Sequence, residues 1–307
     1  MGRSQPIAHA NHIGPIFSIK VNQYLSDSKA NNTINDVNLD ANSILNLNFN
    51  SNTAIQNGIT ENNDVHSTNS LEESPIMESS QHLDTLLAVS FDGNASVIKK
   101  TASLIKIHSR PILDCDWVSE TKFVTCSTDF DVALIDYRTN DIRLLKGHID
   151  NVNSVSHNKN IIASTSDDNL VILWNINDEK NANLVGHKKG VLCQCWLDKN
   201  SNPASAQKLA TSGNDGNIII WDINMASKNC YYSVGYPVHY MEKSSAYNLL
   251  CTACSGKMLH FWDERVGLVK KIDTSNCISN MAFNEQGSVL CVTMYNKQPS
   301  LYDIRMV

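Results

Sequence analysis

The clearest pattern of apolar and polar positions runs from Gly147-His148 through Val152-Asn153-Ser154-Val155, then Ile161 to Asp168, then Leu170 to Asn175. It holds three short apolar runs separated by Asn, Asp and Lys clusters. Their length and spacing predict strands joined by tight turns, not helices. Between Trp174 and Gly186-His187, residues Asn181 to Val185 leave room for a fourth short strand, so the predicted unit is a four-stranded antiparallel meander.

The unit recurs. Asp168 precedes Trp174 by six residues, as Asp215 precedes Trp221 and Gly256 precedes Trp262; weaker copies pair Asp92 with Ile98, Asp129 with Ile135 and Asn296 with Tyr302. A fixed-period repeat outranks single-residue clues because it implies one supersecondary unit stacked many times. The GH and W-[DN] pairs at this spacing resemble the WD40 repeat, so the expected fold is all-β, a propeller of six recognisable four-stranded blades. First-strand runs begin near Ile16, Ile112, Val152, Val191, Val238 and Ile278. The last copy lacks room for a fourth strand. Either Gln5 to His9 supplies it and closes the ring, or the six blades belong to a larger ring of seven or eight.

A buried His donating to a turn Asp, with a strand Ser and a Trp indole nearby, would tie three strands through satisfied polar groups. His148, Ser166, Asp168 and Trp174 are expected to form that tetrad. Elsewhere it looks partial. Asp129 has Ser127 and His108 but Ile135 for Trp, Asp215 has Gly213 where Ser would stand, and Gly256 replaces the Asp. The later blades are therefore expected to be less tightly tied. The His, Ser and Asp come with the repeat and should be buried, so no catalytic residue is assigned.

Composition agrees with one propeller spanning residues 1–307, with 42% apolar and 18% charged residues. No long apolar run predicts a membrane span, and residues 1–14 lack a signal-peptide core. Nine Cys fall mostly inside predicted strands, where free thiols are common, so no disulfide framework is expected. Cys251-x-x-Cys254 is the one metal-like spacing, but no second pair accompanies it, and neither metal nor cofactor is assigned. Residues 27–84 differ: they are rich in Asn and Ser, with nine acids and Lys29 as their only Lys or Arg. Such a segment cannot bury enough apolar surface to offset its ordering entropy, and a disordered insertion within the first blade is expected. It carries −8 of the formal −6, leaving about +2 for the remainder.

Particular wording goes beyond the generic repeat. Gly14 to Lys20, His108 to Trp117, Thr125 to Asp129 and the Trp196 to Leu209 loop resemble the transducin β-like corepressor subunits, most strongly over residues 108–223. That resemblance implies a nuclear scaffold of a histone deacetylase corepressor complex. Its implied partners are a deacetylase, a corepressor segment and a histone tail. In that family an N-terminal oligomerisation segment precedes an eight-bladed propeller; this chain shows neither that segment nor the first two blades, so its oligomeric state stays open.

By register, residues flanking each first strand, and the one before each turn Asp, should project onto one rim. They are Pro15, Phe17 and Phe91; Pro111, Leu113 and Thr128; Asn151, Asn153 and Asp167. Gly190, Leu192 and Asn214, then Pro237, His239 and Ser255, then Cys277 and Ser279 follow. Apolar anchors beside polar groups suit a peptide-binding surface, and Asp167 is a candidate acceptor for a basic tail. A substrate adaptor of a cullin-type ubiquitin ligase is the alternative, since Trp262-Asp263-Glu264-Arg265 and Tyr302-Asp303-Ile304-Arg305 resemble the W-D-x-R boxes of such adaptors. No phosphate-cradling loop, HExxH or nucleophile elbow supports an enzyme. Lys188-Lys189 and Lys270-Lys271 are isolated pairs, so no direct nucleic-acid contact is expected.

Overall fold

The computed structural model describes residues 16–21, 85–98, 102–178, 180–198, 207–284 and 286–306, with side chains left out for 16–19 and 21. Pro15, the side chain of Phe17, the segment from Gln5 to His9 and the insertion at 27–84 lie outside the described residues.

Within them, each repeat folds as one antiparallel sheet whose strands pair in sequence order. Blade 1 comprises β1 (Ile16–Val21), β2 (Leu86–Ser90), β3 (Asn94–Ile98) and β4 (Ala102–Lys106). Blade 2 comprises β5 (Ile112–Trp117), β6 (Lys122–Ser127), β7 (Val132–Asp136) and β8 (Asp141–Leu145). Blade 3 comprises β9 (Val152–Asn158), β10 (Ile161–Ser166), β11 (Leu170–Asn175) and β12 (Asn181–Val185). Blade 4 holds β13 (Val191–Trp196), β14 (Lys208–Gly213), β15 (Asn217–Asp222) and β16 (Ser227–Ser233). Blade 5 holds β17 (Val238–Lys243), β18 (Leu249–Cys254), β19 (Met258–Asp263) and β20 (Gly267–Asp273). Blade 6 has β21 (Ile278–Phe283), β22 (Val289–Met294) and β23 (Ser300–Asp303), then a short 3-10 turn at Ile304–Met306.

The middle strands of blades 2 to 5 are buried on both faces because each of those sheets is sandwiched between two others. β10 and β18 bury all but their first residue, whereas outer strands such as β12 expose four of five. Five apolar clusters form, one at each junction of consecutive blades; Leu87, Val97, Ile112 and Phe123, for instance, join blades 1 and 2. Side chains as large and fully buried as Phe123, Ile162 and Leu209 contribute ~1.5–3 kcal/mol each.

The first strands touch in series, β1 to β5, β9, β13, β17 and β21, and so line a common axis. Polar bonds link them. The Trp117 indole donates to Lys20 O at 3.1 Å and Ser154 Oγ to Asp114 at 2.9 Å, while Gln194 Nε2 of β13 reaches Ala163 O on the second strand of blade 3 at 2.7 Å. Lys20 projects among these strands. Surrounding protein disfavours its charge, but Asp114 and then Asp116 hold the ammonium well above the ordinary lysine range, with Glu242 of β17 adding to them.

One irregularity recurs in all six blades. The register between first and second strands slips at the second residue of the first strand, leaving residues 17, 113, 153, 192, 239 and 279 unpaired. A β-bulge of this kind re-aims a side chain and kinks its strand. A second repeated feature is the residue after each turn Asp, or after Gly256, which has positive φ: Gly93 (77°), Phe130 (76°), Asn169 (70°), Gly216 (72°) and Lys257 (59°). Gly and Asn adopt this region readily; a bulky residue such as Phe130 does so at ~1–2 kcal/mol.

Candidate functional site

Each blade's internal ties decide which loops are held rigid. In blade 3, His148 Nδ1 donates to Asp168 Oδ2 at 2.7 Å, while Nε2 accepts from the Ser164 hydroxyl at 2.8 Å, which in turn takes the Trp174 indole N–H at 2.9 Å. The hydroxyl of the tetrad is thus Ser164, correcting the expectation of Ser166. Ser166 Oγ instead donates to Asp150 O and accepts from Asp168 N, so it closes the turn. The His148 and Asp168 side chains are 0% and 1% exposed, out of reach of any substrate.

Blade 4 is as fully tied, contrary to the reading of Gly213 as a gap. His187 meets Asp215 at 3.1 Å and Thr211 at 2.9 Å, and the Trp221 indole donates to Thr211 at 2.8 Å. In blade 2, His108 joins Asp129 and Thr125, with Ile135 replacing Trp. A hydroxyl ten residues before the third-strand Trp or Ile, at Thr125, Ser164, Thr211 and Thr252, was the sequence signal for this role. Burial, outweighing the Asp partners, holds His108, His148 and His187 below the ordinary histidine range, so the imidazoles are neutral.

The pattern fails in blades 5 and 6. Val234 and Thr274 stand four residues before the first strand, where blades 2 to 4 place His. Blade 5 keeps the Trp262 indole to Thr252 at 3.0 Å, but Gly256 carries no acceptor, and the Tyr236 ring lies where a Cβ on Gly256 would project. A cavity of about 190 Å³ opens at the seam of these two blades, lined by His239, Tyr240, Ser255, Cys277, Ile278 and Tyr295 among others. Burial lowers the His239 pKa, so its imidazole is uncharged there.

This cavity gathers His239, Ser255 and Cys277 of the rim read from the sequence. Other predicted rim residues have different surroundings. Phe91 is exposed in the turn between β2 and β3, while Leu113 packs against the core between blades 2 and 3. Leu192 and Thr128 are half-buried, and Asn214 N and Thr128 N donate to Gly190 O and Pro111 O. Asp167 accepts from Asn151 Nδ2 at 3.2 Å and Asn153 Nδ2 at 2.8 Å, and the Asn153 amide also reaches Val191 O at 2.9 Å. These three brace blade 3 against blade 4. Sequence register missed Phe130, Ile149, Tyr236 and Tyr295, all exposed on turns of the same rim. Their signal was an apolar side chain in turns otherwise filled by Asn, Asp and Gly.

At the opposite end, Glu264 pairs with Lys208, and Arg265 and Arg305 lie exposed beside Asp263 and Asp303 at 3.3 and 2.6 Å. Cys251 and Cys254 belong to different interblade clusters, so they face opposite sides of β18. Among the described residues no three His, Cys, Asp or Glu side chains are placed to hold a metal, and no helix is long and apolar enough to cross a membrane.

Residues 139–175 and 179–222 match the family profile described as WD domain, G-beta repeat. The chain carries WD40 repeats. These two matches run from the outer strand of blade 2 through all of blade 3 to the third strand of blade 4, and with the six sheets they make the fold a WD40 propeller. Among similar proteins, the cell division cycle 20.1 cofactor of APC complex of Arabidopsis thaliana is 26% identical over 209 residues, covering 60% of this chain and 43% of that one. The WD40 repeat-containing protein HOS15 of the same plant is 27% identical over 135 residues, 42% of this chain and 22% of its own. The DDB1- and CUL4-associated factor 10 of Mus musculus is 33% identical over 89 residues, 28% of this chain and 15% of its own. The chain spans less than half the length of each. The WD40 chain thus reads as a protein-interaction scaffold.

Proposed function

We propose that this WD40 propeller is a non-catalytic scaffold that captures peptide segments on its bulged rim. The carrying observation is that one rim collects the six bulge residues, four exposed apolar side chains at Phe130, Ile149, Tyr236 and Tyr295, and the seam cavity. Within that reading, the chain serves as a nuclear subunit of a histone deacetylase corepressor complex. What supports it is the wording of residues 108–223, which falls on blades 2 to 4, the most completely tied part of the molecule.

A second reading, a substrate adaptor of a cullin-type ubiquitin ligase, is favoured by the exposed Arg265 and Arg305 of the two W-D-x-R-like boxes and by the similarity to a cofactor of APC complex and to a DDB1- and CUL4-associated factor. Affinity purification of the tagged chain from its own nuclear extract, with mass spectrometry and a deacetylase assay on the eluate, separates the two. Recovery of active deacetylase supports the corepressor role. Recovery of ligase core subunits, lost in the Arg265→Ala variant, supports the adaptor; recovery of neither overturns both.

A further inference from the structure

At two seams between blades the bulge residue of the first strand fills the space. Leu113 packs against the core between blades 2 and 3. Asn153 holds Asp167 at 2.8 Å and crosses to Val191 O of blade 4 at 2.9 Å. Blade 5 places His239 and Ser255 at the positions of Asn153 and Asp167. Among the described residues neither of these side chains makes a hydrogen bond, nor do those of Tyr240 and Tyr295. The second strand recedes as well: Ala253 stands where β6, β10 and β14 carry Cys126, Thr165 and Ser212. The seam of blades 5 and 6 is thus left unbridged, and the cavity of about 190 Å³ is the result.

Its size and chemistry define an occupant. A cavity of ~150 Å³ admits a benzene ring, so this one has room for a phenol or an indole. Ala253, Ile278 and the rings of Tyr240 and Tyr295 give it apolar walls. None of its lining side chains is a carboxylate, Lys or Arg, and burial keeps His239 neutral. A charged group entering would meet no counter-charge, whereas a single O–H or N–H has acceptors in the His239 imidazole and the Ser255 hydroxyl. The walls are fixed beforehand. Ser255 N donates to Pro237 O at 2.9 Å, Tyr295 N to Cys277 O at 3.1 Å and Asn276 Nδ2 to Tyr295 O at 2.6 Å.

We propose that the seam cavity is the receptor for one uncharged aromatic side chain, the Tyr or Trp of a partner's extended peptide segment. The ring lies between blades 5 and 6, and its polar tip meets His239 or Ser255. Tyr and Trp suit an open-mouthed site because one end is apolar and the other wet. Resting on the peptide-capturing rim of the proposed function, this site adds which side chain the rim selects.

The test has two arms, both on the folded full chain. In the first, ligand-observed NMR compares p-cresol and 3-methylindole, the side chains of Tyr and Trp, with p-tolyl phosphate. The first two should bind, and the phosphate at least about tenfold more weakly. Ser255→Trp, at an exposed turn position, plugs the cavity with a ring of its own and should abolish fragment binding without lowering the melting temperature. Cys277→Phe is a second plug from the opposite wall; fragments still held by either folded variant overturn the site. In the second arm, a random 12-residue peptide library on phage is selected on wild type and on the plugged variant. Enrichment of Tyr or Trp at one position, on wild type alone, supports the proposal. Peptides without that aromatic preference, or selected equally on the plugged variant, overturn it and leave the rim standing. Fragment binding with no peptide selected replaces the peptide partner by a small molecule and overturns the proposal as stated. Equal affinity for p-tolyl phosphate overturns the demand for a neutral ligand, and binding in neither arm overturns cavity and rim together.

Discussion

His148 and Asp168 meet at 2.7 Å with both side chains shut away from solvent, and the same carboxylate takes the backbone N–H groups of Ile149 and Leu170 at 3.2 and 2.9 Å. One acidic side chain thus fixes the loop entering blade 3 and the turn between its second and third strands. Asp168→Ala leaves three donors without their acceptor. At ~1–3 kcal/mol for an unsatisfied buried group, partly relieved by water at the exposed Ile149, the expected loss is about 3 kcal/mol. The melting temperature should fall by roughly 5–10 °C. An unchanged melting curve would show that the turn is held by something else.

The repeat made the blades legible: the six-residue spacing from Asp168 to Trp174 and from Asp215 to Trp221 places the third strands, and the apolar runs starting at Ile112, Val152, Val191, Val238 and Ile278 are the first strands. The rim was legible only in part. Residues 113, 153, 192 and 239 were reached by register, but the bulge that unpairs them has no residue signature, because it follows from strand geometry. Ser164 was passed over for Ser166 because both lie on one face of β10, two residues apart, and only the reach of His148 distinguishes them. The seam cavity was out of view altogether. It arises between strands of two repeats, whereas Val234 and Thr274 register in sequence only as missing histidines.

The neutral histidines predict how stability follows pH. Burial holds His108, His148 and His187 below 6.5 in the fold, while the unfolded chain takes up protons at about 6.5. Between those values the unfolded state binds more protons, so stability is complete above about 6.5 and declines as pH falls below it. At Asp129 and Asp215 burial works against the charge, but His108 and Ser109 N–H at the first, and Lys188 N–H and His187 at the second, outweigh it. Those depressed carboxylates add a further decline below about 3.8. Melting temperatures between pH 8 and 5 should be level at first and then drop. A rise on acidification would mean that the imidazoles are protonated partners in ion pairs.

Gly213 tests whether a repeat consensus should be restored. Blades 2 and 3 carry Ser127 and Ser166 at this position, so Gly213→Ser looks like a repair. A Cβ there would lie 2.2 Å from Gly190 O and 2.9 Å from Val191 Cα, both backbone atoms that cannot rotate away. The loop before β13 would have to move, at ~1–3 kcal/mol by analogy with overpacked cores. Gly213→Ser should therefore lower the melting temperature of a blade whose tetrad is already complete through Thr211. A stabilised variant would mean that the loop is free to shift.

His260 offers the opposite case, a polar residue whose removal should help. It sits on β19 at 1% exposure, its ring stacked on Trp262 with centroids 5.8 Å apart, and among the described residues neither ring nitrogen has a hydrogen-bond partner. Burial, then Lys271, lower its pKa, and Asp273 only partly opposes them, so the fold holds the imidazole neutral with its N–H unanswered. An unsatisfied buried donor costs ~1–3 kcal/mol, whereas an apolar group of similar volume carries no such cost. His260→Leu should raise the melting temperature by a few degrees at neutral pH. The gain should widen at pH 5.5, because the wild-type chain there bears the added cost of excluding a proton that its unfolded state accepts. Denaturation of both proteins at pH 7.5 and 5.5 measures the two effects separately. A variant less stable than wild type at both values would mean that the ring meets a partner, such as an ordered water; equal gains at both would remove His260 from the acid response and leave it to the three histidines bound to aspartate.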